Sequence, residues 1–190
     1  MREVFAARLK SVTVVMDAPH DPHNGAAILR SCEAFGVQSI HVVERIEPFL
    51  AAKKVSQGTE RWVDIVRHRS AAQALSELRR CGFSLVVAHP NGELLPEELT
   101  RIERIALIMG NEHDGVCDEL ESAADRRVRV PMRGFVESLN VSVTTALLLE
   151  ATVRGRPGDL PEHEQTYLLA RALTATVPRA RQILANLTPR

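Results

Sequence analysis

The stretch VPMRGFVESLNVSVTTALL, Val130 to Leu148, concentrates the polar chemistry of this chain. It gathers Pro131, Gly134, Glu137, Ser138 and Asn140 in one bend and then runs directly into an apolar helical pattern. Backbone N–H groups at a helix start lack intrahelical partners, so a polar bend at that position can form a small-molecule pocket. Two further segments share the character: HDPHNGAAILRS (His20 to Ser31), with Asn24 and Arg30, and ALIMGNEHDGV (Ala106 to Val116), with Gly110, Asn111 and Glu112. Converging, the three would make one site holding a carboxylate, an arginine, a serine and two asparagines.

Other common solutions are absent. No GxGxxG follows a strand and no GxxxxGK[ST] occurs, which removes two familiar nucleotide-binding loops, and no GxSxG marks a hydrolase elbow. His20 and His23 have loose metal-ligand spacing, but no cysteine or acidic cluster completes a set. They read as turn residues, and no metal is expected.

The elements that must position these bends follow from the hydrophobic pattern. VTVVMD (Val12 to Asp17) reads as a buried strand, with Asn24 as N-cap of a helix ending near Gly36. Ser39 to Glu44 is the next strand, Pro48 to Thr59 is irregular or partly helical, and Trp62 to Arg67 alternates like a strand. Ala71 to Arg80 reads as helix, Phe83 to His89 as strand, then Ile105 to Gly110 and Val128 to Val130 as strands. A long helix follows from Leu139 to Arg154, with Gly155 to Pro161 as linker. Gln165 to Leu187 again has helical periodicity, interrupted or started afresh at Pro178. Strands apolar throughout and alternating with helices predict an α/β protein with a mostly parallel sheet flanked by helices. The three polar bends then lie beyond strand ends, where open α/β sheets bind ligands.

A chain of 190 residues, 45% hydrophobic and 25% charged, suits one domain with a substantial core and an appended helix. No apolar run approaches the roughly 18 residues needed to span a bilayer, and MREVFAARLK lacks a secretory h-region. Cys32, Cys81 and Cys117 form no CxxC pair, which fits reduced thiols and a cytoplasmic location. The zero net charge gives no global support for nucleic-acid binding. Locally, though, Arg171, Arg179, Arg181 and Arg190 occur after Gln165 without an acidic residue, and Arg126, Arg127, Arg129 and Arg133 lead into the signature bend. Such clusters either contact phosphate or form solvated edges.

Three motifs carry a resemblance: N-x-x-A-I-L-R-S (Asn24 to Ser31), L-I-M-G-N-E (Leu107 to Glu112) and V-P-M-x-G-x-V-x-S-L-N-V-S-V (Val130 to Val143). In order and separation the chain closely resembles the SpoU branch of the SPOUT superfamily, the knotted RNA 2′-O-ribose methyltransferases, from Val12 to Thr152. H-x-P-H-N and S-Q-G-T-E-R-W-V look most like its TrmH-type members, which methylate guanosine-18 of tRNA. Asp21 stands where those commonly carry lysine, so one phosphate-facing charge is lost. The resemblance implies S-adenosylmethionine as methyl donor, bound in a C-terminal deep trefoil knot near Ala88, Gly110, Val130 and Leu139, mostly through backbone groups. It also implies a homodimer with the active site at or near the subunit interface. The expected division is a SPOUT methyltransferase domain over residues 1–157 and a helical C-terminal tail over 158–190.

By the same resemblance Arg30 is the catalytic arginine, Asn24 and Glu112 position groups around it, and Ser138 and Asn140 shape the acceptor and donor site. Arg30, Arg133, Arg171, Arg179 and Arg181 are the expected RNA contacts. A guanidinium is effectively always protonated, so a mechanism using Arg30 as base would carry a deprotonation cost of roughly 8 kcal/mol. A clamp on the neighbouring phosphate is the other role for it. Each residue also has a plainer reading. Arg30 is then a surface residue, Glu112 an arginine's partner, and Asn24, Ser138 and Asn140 helix caps. Trp62 reads as a packing residue. The expected activity is methylation of structured RNA, with tRNA favoured and ribosomal RNA the alternative. From outside the enzymes comes a non-catalytic RNA-binding module with the same fold, which would not require the whole residue set.

Overall fold

The computed structural model describes residues 1–45, 48–49 and 58–180. Its strands are β1 (Val12–Asp17), β2 (Ser39–Val43), β3 (Asp64–His68), β4 (Ser84–Ala88), β5 (Ile105–Met109) and β6 (Arg126–Val128). They form one six-stranded sheet in the order β3-β2-β1-β5-β4-β6, with every neighbouring pair parallel. The helices are α1 (Arg2–Ala6), α2 (Pro22–Ala34), α3 (Ala71–Arg80), α4 (Asp118–Ser122), α5 (Val141–Val153) and α6 (Glu162–Thr176).

The central strands β1 and β5 are buried at every position, as expected where helices cover both faces of a parallel sheet. On one face Val14, Met16, Ile40 and Leu107 pack with Ile28 and Leu29 of α2 and Leu148 and Leu149 of α5. On the other, Val15, Leu85 and Ile108 pack with Ala71, Ala74 and Leu78 of α3 and Leu120 of α4. Leu78 is fully buried, so truncating it to alanine should cost about 2–5 kcal/mol.

The chain builds outward from β1 to β2 and β3, then returns to the other side, so β1 and β5 sit together where the strand order reverses. Met16 pairs with Met109 at their carboxyl ends. Ligand crevices of open α/β sheets form at such a switch point.

Several boundaries differ from the sequence expectation. Helix α2 starts at Pro22, two residues before Asn24. Asp21 is its N-cap, accepting from the His23 N–H at 2.8 Å, with Pro22 in the first turn. Proline needs no hydrogen-bond acceptor there and brings its φ preset, so Asn24 is released from capping. Strand β3 begins after the expected Trp62, because Thr59–Arg61 form a 3-10 turn first, and Trp62 packs beside Phe5, Leu160, Leu168 and Ala172. Helices α1 and α4 were not anticipated; five residues each are too few to show a 3.6-residue period.

The segment expected as a linker is held tightly instead. Asp159 accepts from the backbone N–H groups of Lys10 and Ser11. A Cβ on Gly158 would lie 1.9 Å from the Ala6 carbonyl oxygen. Lys10 pairs with Glu164, so α6 is packed against the N-terminal segment. Helix α6 ends at Thr176, with Val177 in an extended conformation as its C-cap just before Pro178, where the sequence pattern breaks; Arg181 and Leu187 lie outside the described residues.

Candidate active site

The three polar bends meet beyond the carboxyl ends of β1, β5 and β6. Asn140 caps α5, its Oδ1 accepting from the Ser142 N–H at 2.8 Å. Its Nδ2 donates to Asn24 Oδ1 at 3.0 Å, and Asn24 Nδ2 in turn donates to the Glu112 carboxylate. One hydrogen-bonded line therefore joins the first, second and third motifs. The carboxamides can serve as donor and acceptor at once, which a single hydroxyl does less rigidly.

Beside this line opens a cleft of about 600 Å³. All four expected donor contacts, Ala88, Gly110, Val130 and Leu139, line it, and so do Glu112, Ser138 and Asn140. A small notch next to it is lined by Asp17, Asn24, Gly25, Asn111 and Glu112. Glu112 faces both spaces.

The second bend is shaped by Gly110 and Asn111. Asn111 exchanges backbone hydrogen bonds with Gly115 at 3.0 and 3.2 Å, and its Oδ1 accepts from the N–H groups of His113 and Asp114, each at 2.9 Å. A Cβ on Gly110 would lie 2.3 Å from the Gly115 carbonyl carbon. Only glycine lets the two backbones approach so closely.

Asp17 at the end of β1 fixes the same region from below. It is buried, accepts from Arg45 Nε at 2.8 Å and Nη2 at 3.0 Å, and accepts from the Cys117 N–H at 2.8 Å. Sequence reasoning missed this residue, although an acidic side chain closing an otherwise apolar strand is a readable signal. It also missed His89 and Glu121, which line the cleft. Burial pushes the Cys32 thiol above its ordinary range, which keeps it protonated and unreactive.

Arg30 is exposed on α2 and lines neither space. Arg133 is exposed in the third bend. Arg171 is engaged with Asp64 at 2.6 Å, tying α6 to β3. Arg179 is exposed beyond α6. Among the described residues no group of three or more His, Cys, Asp or Glu side chains is arranged to hold a metal ion, and no helix is long and apolar enough to cross a membrane.

A parallel sheet with a polar cleft at its switch point, framed by the three motifs, is the architecture of a ligand-binding α/β protein. The chain matches the SpoU rRNA Methylase family over residues 11–150 and belongs to that family. It is 32% identical over 177 residues to the tRNA (guanosine(18)-2′-O)-methyltransferase of Escherichia coli, covering 88% of this chain and 77% of that protein. The A. aeolicus TrmH/SpoU tRNA modifying enzyme superposes with a TM-score of 0.82 at 30% identity, over 93% of this chain and 95% of that one. The SpoU methyltransferase AviRb from Streptomyces viridochromogenes, solved with AdoMet, superposes with a TM-score of 0.67 at 25% identity, over 78% of this chain and 60% of that one.

Proposed function

We propose that this protein transfers a methyl group from S-adenosylmethionine to a ribose 2′-hydroxyl of tRNA, at guanosine-18. The observation that carries the reading is the Asn140–Asn24–Glu112 line beside the cleft. It is supported by a relative named for that activity, 32% identical over most of the chain.

The cleft suits the donor. Ala88, Met109, Val130 and Leu139 offer apolar surface for a purine, Gly110 allows close backbone approach, and Glu112, Asp114 and Glu137 offer negative charge to a sulfonium. When bound, the donor supplies an electrophilic methyl group on sulfur. The remaining work belongs to the chain's own residues. Asn24 and Asn140 hold Glu112 at the cleft mouth, where its carboxylate accepts the 2′-hydroxyl proton. Ser138 borders the acceptor side. Arg30 grips the adjacent phosphate through its guanidinium fork, a role that avoids the cost of deprotonating it. Arg133, Arg179 and Arg181 add phosphate contacts, while Arg171 reaches RNA only by leaving Asp64.

The deep trefoil knot, the methyltransferase domain over 1–157 with its 158–190 tail, and a cytoplasmic site of action belong to the same reading. So does a homodimer. Leu139, Val143 and Leu147 stand exposed at four-residue spacing, with Phe135 and Val136 beside them in sequence. An apolar stripe of this kind suits burial against a second copy. Leu147→Glu should therefore yield a monomer in sedimentation.

Incubation with methyl-labelled donor and either tRNA or ribosomal RNA tests the proposal. Label on a tRNA ribose at guanosine-18 is the expected result. Transfer only to ribosomal RNA would favour the substrate in the family's name, and donor binding with no transfer to any RNA would leave a non-catalytic module.

A further inference from the structure

His89 and Glu121 line the cleft together, yet the chemistry above uses neither. The backbone after β4 turns sharply, with the Gly92 N–H donating to the His89 carbonyl at 3.0 Å and Pro90 at the second turn position. The Asn91 N–H donates to His89 Nδ1 at 3.1 Å. A ring nitrogen that accepts leaves the imidazole proton on Nε2. That Nε2 lies 3.9 Å from Glu121 Oε1, beyond direct hydrogen-bond distance. Arg127 Nε holds the same oxygen from behind at 3.3 Å. The cleft wall thus presents one fixed donor beside one fixed acceptor.

We infer that His89 and Glu121 form a clamp for the vicinal hydroxyls of the donor's ribose; this rests on the methyl-donor reading of the cleft. An ammonium only donates, so it would leave the His89 N–H unmet. A carboxylate only accepts, so it would face Glu121 as a like charge. Hydroxyls do both. A purine edge also pairs a donor with an acceptor, but it needs apolar enclosure. His89 and Glu121 are 34% and 30% exposed, at the rim, whereas the apolar wall is formed by Ala88, Met109, Val130 and Leu139.

The test is competition of adenosine and 2′,3′-dideoxyadenosine against S-adenosylmethionine, read by calorimetry on the full chain and on Glu121→Ala and His89→Ala. The clamp requires adenosine affinity to fall about 10-fold in each variant, with dideoxyadenosine affinity unchanged, which also shows that the variants fold. Equal weakening of both nucleosides would assign the pair to the base, and no change in either would leave only a surface ion pair; both outcomes overturn the clamp. If the wild-type chain binds neither nucleoside nor S-adenosylmethionine, the methyl-donor reading itself fails.

Discussion

Asn140 Nδ2 meets Asn24 Oδ1 at 3.0 Å across 116 residues of sequence. This contact ties the helix-capping residue of the third motif to the first, and through Asn24 to Glu112. Helix start and candidate site therefore share one side chain.

That double duty can be split by substitution. Asn140→Ala should lower stability by about 1 kcal/mol through the lost cap and also lower turnover. Asn140→Ser keeps a capping oxygen but is too short to reach Asn24. It should retain the wild-type urea midpoint while losing about 10-fold or more in kcat. Equal turnover in Asn140→Ser and wild type would remove the Asn24 contact from the mechanism.

Asn24→Asp would place a second carboxylate against Glu112. Two such groups side by side resist sharing full charge, and one retains a proton to higher pH. A proton retained on Glu112 removes the acceptor. The acid limb of the pH–rate profile should therefore move to higher pH than in wild type, with the loss relative to wild type growing as the pH falls. A pH–rate profile parallel to wild type would show that Asn24 and Glu112 are not coupled.

Gly110→Ala inserts a methyl group 2.3 Å from the Gly115 backbone. Overpacking of this kind costs about 1–3 kcal/mol and would push the second bend into the cleft. Donor affinity measured by calorimetry should fall together with the thermal midpoint. A stable variant with normal donor affinity would place the donor elsewhere.

Away from the site, His41 Nδ1 and His68 Nε2 lie 2.8 Å apart with rings stacked. Burial first, and the neighbouring His68 second, push the His41 pKa down from 6.5 to about 4; burial also lowers that of His68. A base held neutral in the folded state contributes stability above its unfolded pKa, and that contribution is lost as pH falls from 6.5 toward 4. Wild type should lose on the order of 2–3 kcal/mol over that window, and His41→Phe should lose less. Parallel urea midpoints for the two proteins between pH 7.5 and 4.5 would contradict this.

The strands were legible because fully buried parallel strands read as unbroken apolar runs, as in VTVVMD and IALIM. The convergence of Asn24, Glu112 and Asn140 was legible through the three motifs, since each bend follows a strand. Asn24's freedom from capping was not, because Asp21 and Asn24 are both good caps and Pro22 decides between them. His89 and Glu121 stayed hidden for a different reason. Their pairing depends on a turn and a short helix 32 residues apart by number, with no local period to announce it. The anchoring of Gly158 to Leu160 was missed because glycine and proline signal a bend equally well in a free linker and in one pressed against backbone.

The central claim is that three separated bends act as one catalytic unit. A single-turnover double-mutant cycle on methyl transfer to tRNA, using Asn24→Ala, Asn140→Ser and their combination, tests it most directly. Groups acting as a unit are non-additive, so the double variant should be scarcely slower than the worse single one. Losses that simply multiply would mean that the two asparagines act independently, and the contact joining them would have no part in catalysis.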